Sequence, residues 1–204
     1  MNILAFDTCL NKTYVTLLLK NGTAKNKIIE SDGENYHSAY LITTLVKILR
    51  ENNLTPKDID VVATDIGPGS FTGIRACTTV ARVLTQQLSA KTVGVSSLEI
   101  LSQILKSDDV VVLDARKNKA YVYDKGILGA VELEKVDEIV RGRVVITDNS
   151  LLERISKNAK KAISYEQNDY PLGEILALTA LKKEQTDWKM LKPLYIQPPP
   201  VFGK

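Results

Sequence analysis

The stretch Gly67-Pro68-Gly69-Ser70-Phe71-Thr72-Gly73-Ile74-Arg75 lies between an apolar run, Ile59 to Asp65, and residues with helical spacing from Thr72 onward. Its glycines therefore mark a strand-to-helix junction. Glycine tolerates positive φ and close backbone approach, and a free helix N-terminus attracts anions, so such a junction is where an α/β fold of this kind holds a phosphate. No lysine follows the turn, which rules out Gly-x-x-x-x-Gly-Lys, and the glycine spacing is not that of the dinucleotide fingerprint. A phosphate-holding turn and a purely structural turn both stay open.

Working outward, Asn2–Phe6, Thr13–Lys20 and Ala24–Glu30 read as strands, with Asn21-Gly22 as a hairpin turn. A helix is predicted over Asn35–Glu51, where Leu41, Leu45 and Ile48 repeat beside Ile42, Val46 and Leu49. The strand to Asp65, a helix over Thr72–Leu88, a strand over Lys91–Val95 and a helix over Ser97–Lys106 complete the order βββαβαβα. The second half restarts in the same way, with strands at Val110–Leu113, Ala120–Tyr123, Ile127–Leu133 and Val144–Thr147, and helices at Leu151–Asn158 and Pro171–Lys183. No close repeat of sequence accompanies this repeat of pattern. The expectation is an α/β protein of two lobes, 1–106 and 107–204, each a mixed sheet with flanking helices, the second lobe abbreviated. Asp7 and Asp114 end the first strand of each lobe. An actin-like fold uses such a pair to face two phosphate loops across a cleft, whereas an ordinary strand-end Asp caps a turn.

Composition narrows the classes. With 27 Lys+Arg against 24 Asp+Glu, the net charge of +3 neither demands nor excludes nucleic acid. Two cysteines, Cys9 and Cys77, and one histidine, His37, fit no zinc-finger spacing, and no Ser-His-Asp order with a nucleophile elbow is present. Both thiols read as inert packing groups, so no metal and no catalytic residue is assigned. The chain opens without a basic-then-apolar leader and has no bilayer-length apolar run, which predicts a cytoplasmic protein with no membrane contact.

Asp7-Thr8, the Gly67–Arg75 turn, Gly94-Val95-Ser96-Ser97-Leu98, Asp114-Ala115-Arg116 and Pro193-Leu194-Tyr195 run in an order that resembles the bacterial TsaB family, also called YeaZ. The resemblance implies an actin-like, Hsp70-like (ribonuclease H-like) fold. It implies a non-catalytic scaffold that binds a TsaD-like transferase and supports threonylcarbamoyladenosine formation beside the anticodon of tRNAs reading A-starting codons. It also implies a TsaE-like ATPase in the assembly, a homodimer when the chain is alone, and tRNA contact only through the complex. Where the partner enzyme's family has a His-x-x-x-His metal pair, this chain has His37 and Leu41, so His37 reads as a helix-start or interface polar group. Asp7, Thr8, Gly67, Gly69 and Asp114 then outline a vestigial nucleotide cleft, with no cofactor required and ATP or ADP at most weakly held or shared at the complex boundary. The family's helical bundle implies a partner interface of His37, Leu41, Leu45, Ile48, Arg75, Thr79 and Arg82. The chain departs from the family at Cys77, Thr79 and Val83, where glycines are usual, and at Lys119 and Gln197. The rival readings are a small actin-like ATPase or kinase, a glycoprotease-like peptidase, and a stand-alone RNA-binding module. Pro198-Pro199-Pro200 reads as a stiff frayed tail.

Overall fold

β-Branched and aliphatic runs form the strands, and the computed structural model describes residues 1–31, 36–104 and 109–197. The first sheet contains β1 (Ile3–Asp7), β2 (Thr13–Leu18), β3 (Ala24–Ile29), β4 (Val61–Asp65) and β5 (Lys91–Val95), in the order β3-β2-β1-β4-β5. β1 pairs antiparallel with β2 and parallel with β4, and β4 pairs parallel with β5. β1, β2 and β4 are buried along their whole length, which explains why they read as unbroken apolar runs rather than alternating ones. Gly22, at φ +84°, turns the β2–β3 hairpin, as its sequence predicts. Within the predicted Asn35–Glu51 helix, the described residues form a 3-10 turn over His37–Tyr40 and then α1 (Leu41–Glu51). α2 (Phe71–Leu88) follows β4 and stops at Ser89, which takes the left-handed conformation that ends many helices. α3 (Ser97–Ser102) follows β5.

The second sheet contains β6 (Val110–Arg116), β7 (Lys119–Tyr123), β8 (Ile127–Glu132), β9 (Val144–Thr147) and β10 (Lys161–Ser164), in the order β10-β9-β6-β7-β8. Helices α4 (Leu133–Ile139), α5 (Asn149–Ser156) and α6 (Leu172–Ala180) follow β8, β9 and β10. Pairing directions match the first sheet strand for strand. The abbreviation expected of the second half therefore lies in its helices and not its sheet. α4 and α5 have 7 and 8 residues where α1 and α2 have 11 and 18. Sequence reading missed α4 because seven residues are too short to show a helical period, and β10 because Lys161-Ala162-Ile163-Ser164 lacks the β-branched run that marks β9 at the same length.

The expected division at residue 106 needs correction. One compact unit is Met1–Ser97 together with Pro171–Leu194, and the other is Leu98–Tyr170 with 195–197 among the described residues. α6 buries Leu172, Leu176, Ala177 and Ala180 and packs on β1 and β2. A chain that returns this apolar face to the first sheet cannot be divided at one point. α1 and α2 cover the opposite face through a core of Leu4, Phe6, Val15, Leu17 and Val62 with Leu41, Leu45, Ile48, Ile74, Cys77 and Ala81. The segment after α6 is tied to the first sheet by reciprocal Thr92–Thr186 backbone bonds of 2.9 Å and by the Leu194 N–H on the Ile66 carbonyl at 2.8 Å. In the second unit, α4 and α5 cover Val110, Val112, Ala120, Val122 and Val145.

Candidate functional site

The Gly67–Arg75 turn holds its own chain. Ser70 caps α2, its Oγ accepting the Gly73 N–H at 3.3 Å, and the Ser70 N–H donates to the Cys9 carbonyl at 2.9 Å. The Thr8 hydroxyl donates to the Gly73 carbonyl at 2.8 Å. A Cβ at Gly69 would run into the Cys9 carbonyl, and one at Gly73 into the Thr8 carbonyl. These glycines are thus required by the close approach of the β1–β2 loop to the start of α2. A Cβ at Gly67 would likewise meet the Ile74 side chain and the Leu194 carbonyl.

Beneath that loop lies a buried group that sequence reasoning did not assemble. Asp7 ends β1, and its Oδ1 accepts the Cys9 N–H at 2.5 Å; Oδ2 meets no backbone N–H or hydroxyl donor, and the carboxyl lies against the side chains of Asp65 and Cys9. Asp65 ends β4 one strand over, its Oδ1 accepting the Gly67 N–H at 2.6 Å and its Oδ2 the Ser97 hydroxyl at 2.7 Å. Burial, with the nearby Cys77, raises the Asp7 pKa to about 7, and burial beside Asp7 pushes Asp65 well above the usual carboxylate range. Cys9 and Cys77 are both buried free thiols. Burial pushes the Cys9 thiol up; for Cys77, hydrogen bonds from Cys9, Thr64 and Thr8 outweigh burial and hold it below its ordinary value. Donor atoms of Asp7, Cys9 and Cys77 all lie within 4.8 Å of one another, an arrangement the absence of metal-ligand spacing in the sequence does not anticipate.

The second unit carries the same carboxylate pattern in an open setting. Asp114 Oδ1 accepts the Arg116 N–H at 2.8 Å, and its own N–H donates to Asp148 Oδ2 at 2.6 Å. Asp148 also caps α5, accepting the Leu151 N–H at 3.0 Å. Asp7 and Asp114 therefore both do the turn-capping work of an ordinary strand-end Asp. A signal was present: Val61-Val62-Ala63-Thr64-Asp65 recurs as Val144-Val145-Ile146-Thr147-Asp148, a repeat the sequence reading passed over.

The helix face expected to meet a partner is shifted around α1. Leu41, Leu45 and Ile48 are buried in the core, which corrects their placement as contacts. They occupy the i, i+4, i+7 stripe that faces the sheet. Their neighbours Ile42 and Val46 are 53% and 43% exposed, and Val83 on α2 is 52% exposed. Between the two helices runs an apolar groove lined by Ile42, Val46, Leu49, Leu84 and Leu88. Arg75 and Thr79 are exposed on α2, as expected. Arg82 is half-buried, with its guanidinium 5.5 Å from the centre of the Trp188 ring. His37 begins the 3-10 turn; its side chain, like Pro198–Pro200, lies outside the described residues.

Two consecutive βββαβαβα runs of chain, each forming a sheet of order 3-2-1-4-5, define an α/β protein of the actin-like class. The chain belongs to the family described as "TsaD: tRNA N6-adenosine threonylcarbamoyltransferase", which matches residues 20–184. Several curated relatives carry the name TsaB. It is 32% identical to the "tRNA threonylcarbamoyladenosine biosynthesis protein TsaB" of Bacillus subtilis (strain 168) over 138 residues, 64% of this chain and 59% of that protein. Identity is also 32% to the protein of the same name from Buchnera aphidicola subsp. Baizongia pistaciae, over 50% of this chain and 45% of that one. The chain thus spans roughly half the length of the curated relatives it matches. Among solved structures, "YeaZ from Pseudomonas aeruginosa" superposes with a TM-score of 0.77 at 21% identity, covering 95% of this chain and 99% of that one, so the fold is shared. Among the described residues, no helix is long and apolar enough to cross a membrane.

Proposed function

We propose that this chain is a non-catalytic subunit of the machinery that forms threonylcarbamoyladenosine on tRNA, and that it acts by docking a TsaD-like transferase on α1 and α2. The observation that carries this reading is the exposed apolar face of Ile42, Val46 and Val83 flanking a groove between two adjacent helices. Large aliphatic side chains grouped in this way on a helix pair suit a helical partner. Arg75 and Thr79 rim the face, and a second copy of the chain occupies it when the transferase is absent. In this reading the chain needs no nucleotide of its own, and ATP or ADP belongs to a TsaE-like ATPase or to the assembled complex. tRNA is met through the complex, in the cytoplasm.

Co-expression with a TsaD homologue tests the reading, with Val46→Glu and Val83→Arg as separate variants. Wild type co-elutes with the transferase in sizing, and each variant elutes as a folded monomer with unchanged circular dichroism. Co-elution undiminished in both variants removes this face from the interface. Steady ATP or peptide hydrolysis by the purified chain alone defeats the scaffold reading in favour of the enzyme one.

A further inference from the structure

The second unit separates its charges along its strands. β6, β9 and β10 run parallel, and Asp114, Asp148 and Glu166 stand at their C-terminal ends. At the opposite ends, the loop after α4 and the loop after α5 lie side by side. Gly142 donates its N–H to the Asn158 carbonyl at 3.2 Å, Lys160 donates to the Arg143 carbonyl at 2.9 Å, and Arg141 pairs with Ala159 in an isolated antiparallel bridge. These contacts bring Arg141 together with Lys157, Lys160 and Lys161, all four exposed, from stretches that sequence separates. Arg143 is spent on Asp124, through two bonds of 2.8 Å, and Lys157 shares its charge with Glu153 at 3.5 Å. Arg141, Lys160 and Lys161 have no ion-pair partner among the described residues, although Glu138 lies one turn before Arg141. A Cβ built on Gly142 meets nothing within 4 Å, so the surface between these cations is open.

We infer that the paired loops 140–143 and 157–161 contact the phosphate backbone of the tRNA that the assembled complex modifies, through Arg141, Lys160 and Lys161. The inference rests on the proposed function, and the surface lies in the second unit whereas the docking face lies on α1 and α2 of the first. Unpaired, solvated Lys and Arg side chains suit phosphate oxygens, and the counterions that RNA releases on meeting them drive the association. RNA fits the patch better than a protein partner does. A protein interface needs an apolar core, and no large apolar side chain from 129 to 170 is exposed, while Ile42, Val46 and Val83 supply such a core on the docking face. Contacts to phosphate alone position the tRNA and read no base, so this surface holds different tRNAs equally.

The test measures the affinity of the complex with a TsaD homologue for a transcript of a tRNA that reads A-starting codons, by fluorescence anisotropy between about 50 and 200 mM salt. Wild type is compared with Arg141→Gln/Lys160→Gln/Lys161→Gln and with Lys20→Gln/Lys25→Gln/Lys57→Gln, which removes the same charge from exposed positions of the first unit. The expected result for the patch variant is affinity at least about tenfold weaker at the lowest salt, with a salt slope shallower by about 2–3, one contact per cation. Its co-elution with the transferase and its circular dichroism stay as in wild type, and the first-unit variant keeps the wild-type slope. An unchanged Kd and slope in the patch variant, with co-elution intact, overturns the inference and leaves the docking reading standing. An equal loss in the first-unit variant overturns it by tracing the effect to net charge, and lost co-elution of the patch variant overturns it by giving the surface to the protein partner. If wild type itself does not pair with the transferase, the docking reading falls, and the same comparison on the chain alone at the lowest salt decides: equal tRNA affinity in wild type and patch variant overturns the inference.

Discussion

Replacing Asp7 by asparagine should stabilise the first unit at alkaline pH. A carboxyl whose pKa is higher in the folded than in the unfolded chain contributes its full stability below the unfolded value and loses it as pH rises through the folded value. For Asp7 that window runs from 3.8 to about 7. At 1.36 kcal/mol per pKa unit, the ionised buried form costs on the order of 4 kcal/mol at pH 8. Asp65, raised for the same reason of burial, acts in the same direction. Asparagine keeps an oxygen for the Cys9 N–H, removes the ionisation and offers an amide N–H toward the Asp65 side chain. Urea unfolding of the protein, followed by fluorescence of Trp188, reports on this unit, because Trp188 is the chain's one tryptophan and lies in Pro171–Leu194. The expected gain is about 2–4 kcal/mol at pH 8, a midpoint shift of roughly 1–2 M urea, and close to none at pH 4. Wild-type stability that rises between pH 4 and 7, or an Asp7→Asn protein weaker than wild type at pH 8, would refute the assignment of Asp7 as a destabilised buried acid.

Gly73→Ala should lose about 1–3 kcal/mol by overpacking against Thr8, despite a helix-propensity gain of about 1 kcal/mol, and a higher urea midpoint would show that the Thr8 carbonyl does not crowd this position. Asp148→Ala removes the α5 cap and the acceptor of the Asp114 N–H; about 1–2 kcal/mol should go, visible as faster amide exchange across β6, β9 and α5. Arg82→Ala should cost about 0.5–1 kcal/mol and shift the Trp188 emission, since the guanidinium leaves the ring face. An unchanged spectrum would mean that the stacking is not kept in solution.

Much of the architecture was readable because the strands of both units carry strong β-branched runs and the turn at Gly67–Arg75 marks its junction plainly. Direction of burial was less readable. The α1 pattern offers two adjoining apolar stripes, and only packing tells that Leu41, Leu45 and Ile48 face the sheet while Ile42 and Val46 face out. The glycine turn left two readings open for a related reason: glycine admits any close neighbour, and sequence does not say whether that neighbour is a phosphate or the Thr8-Cys9 backbone. Asp7, Cys9 and Cys77 went unassembled because their proximity comes from β1 meeting α2, across a separation no spacing rule covers. The return of α6 to the first sheet was hidden too, since its apolar residues announce a buried face without naming which sheet covers it.

That return has a consequence during synthesis. When the ribosome has released only the first hundred residues, the face of β1 and β2 that α6 covers is still bare, so the nascent unit must wait for residues 171–194 before it closes. The intervening β6–β10 sheet is made while the first unit is incomplete, so the first unit closes only after the second sheet has left the ribosome.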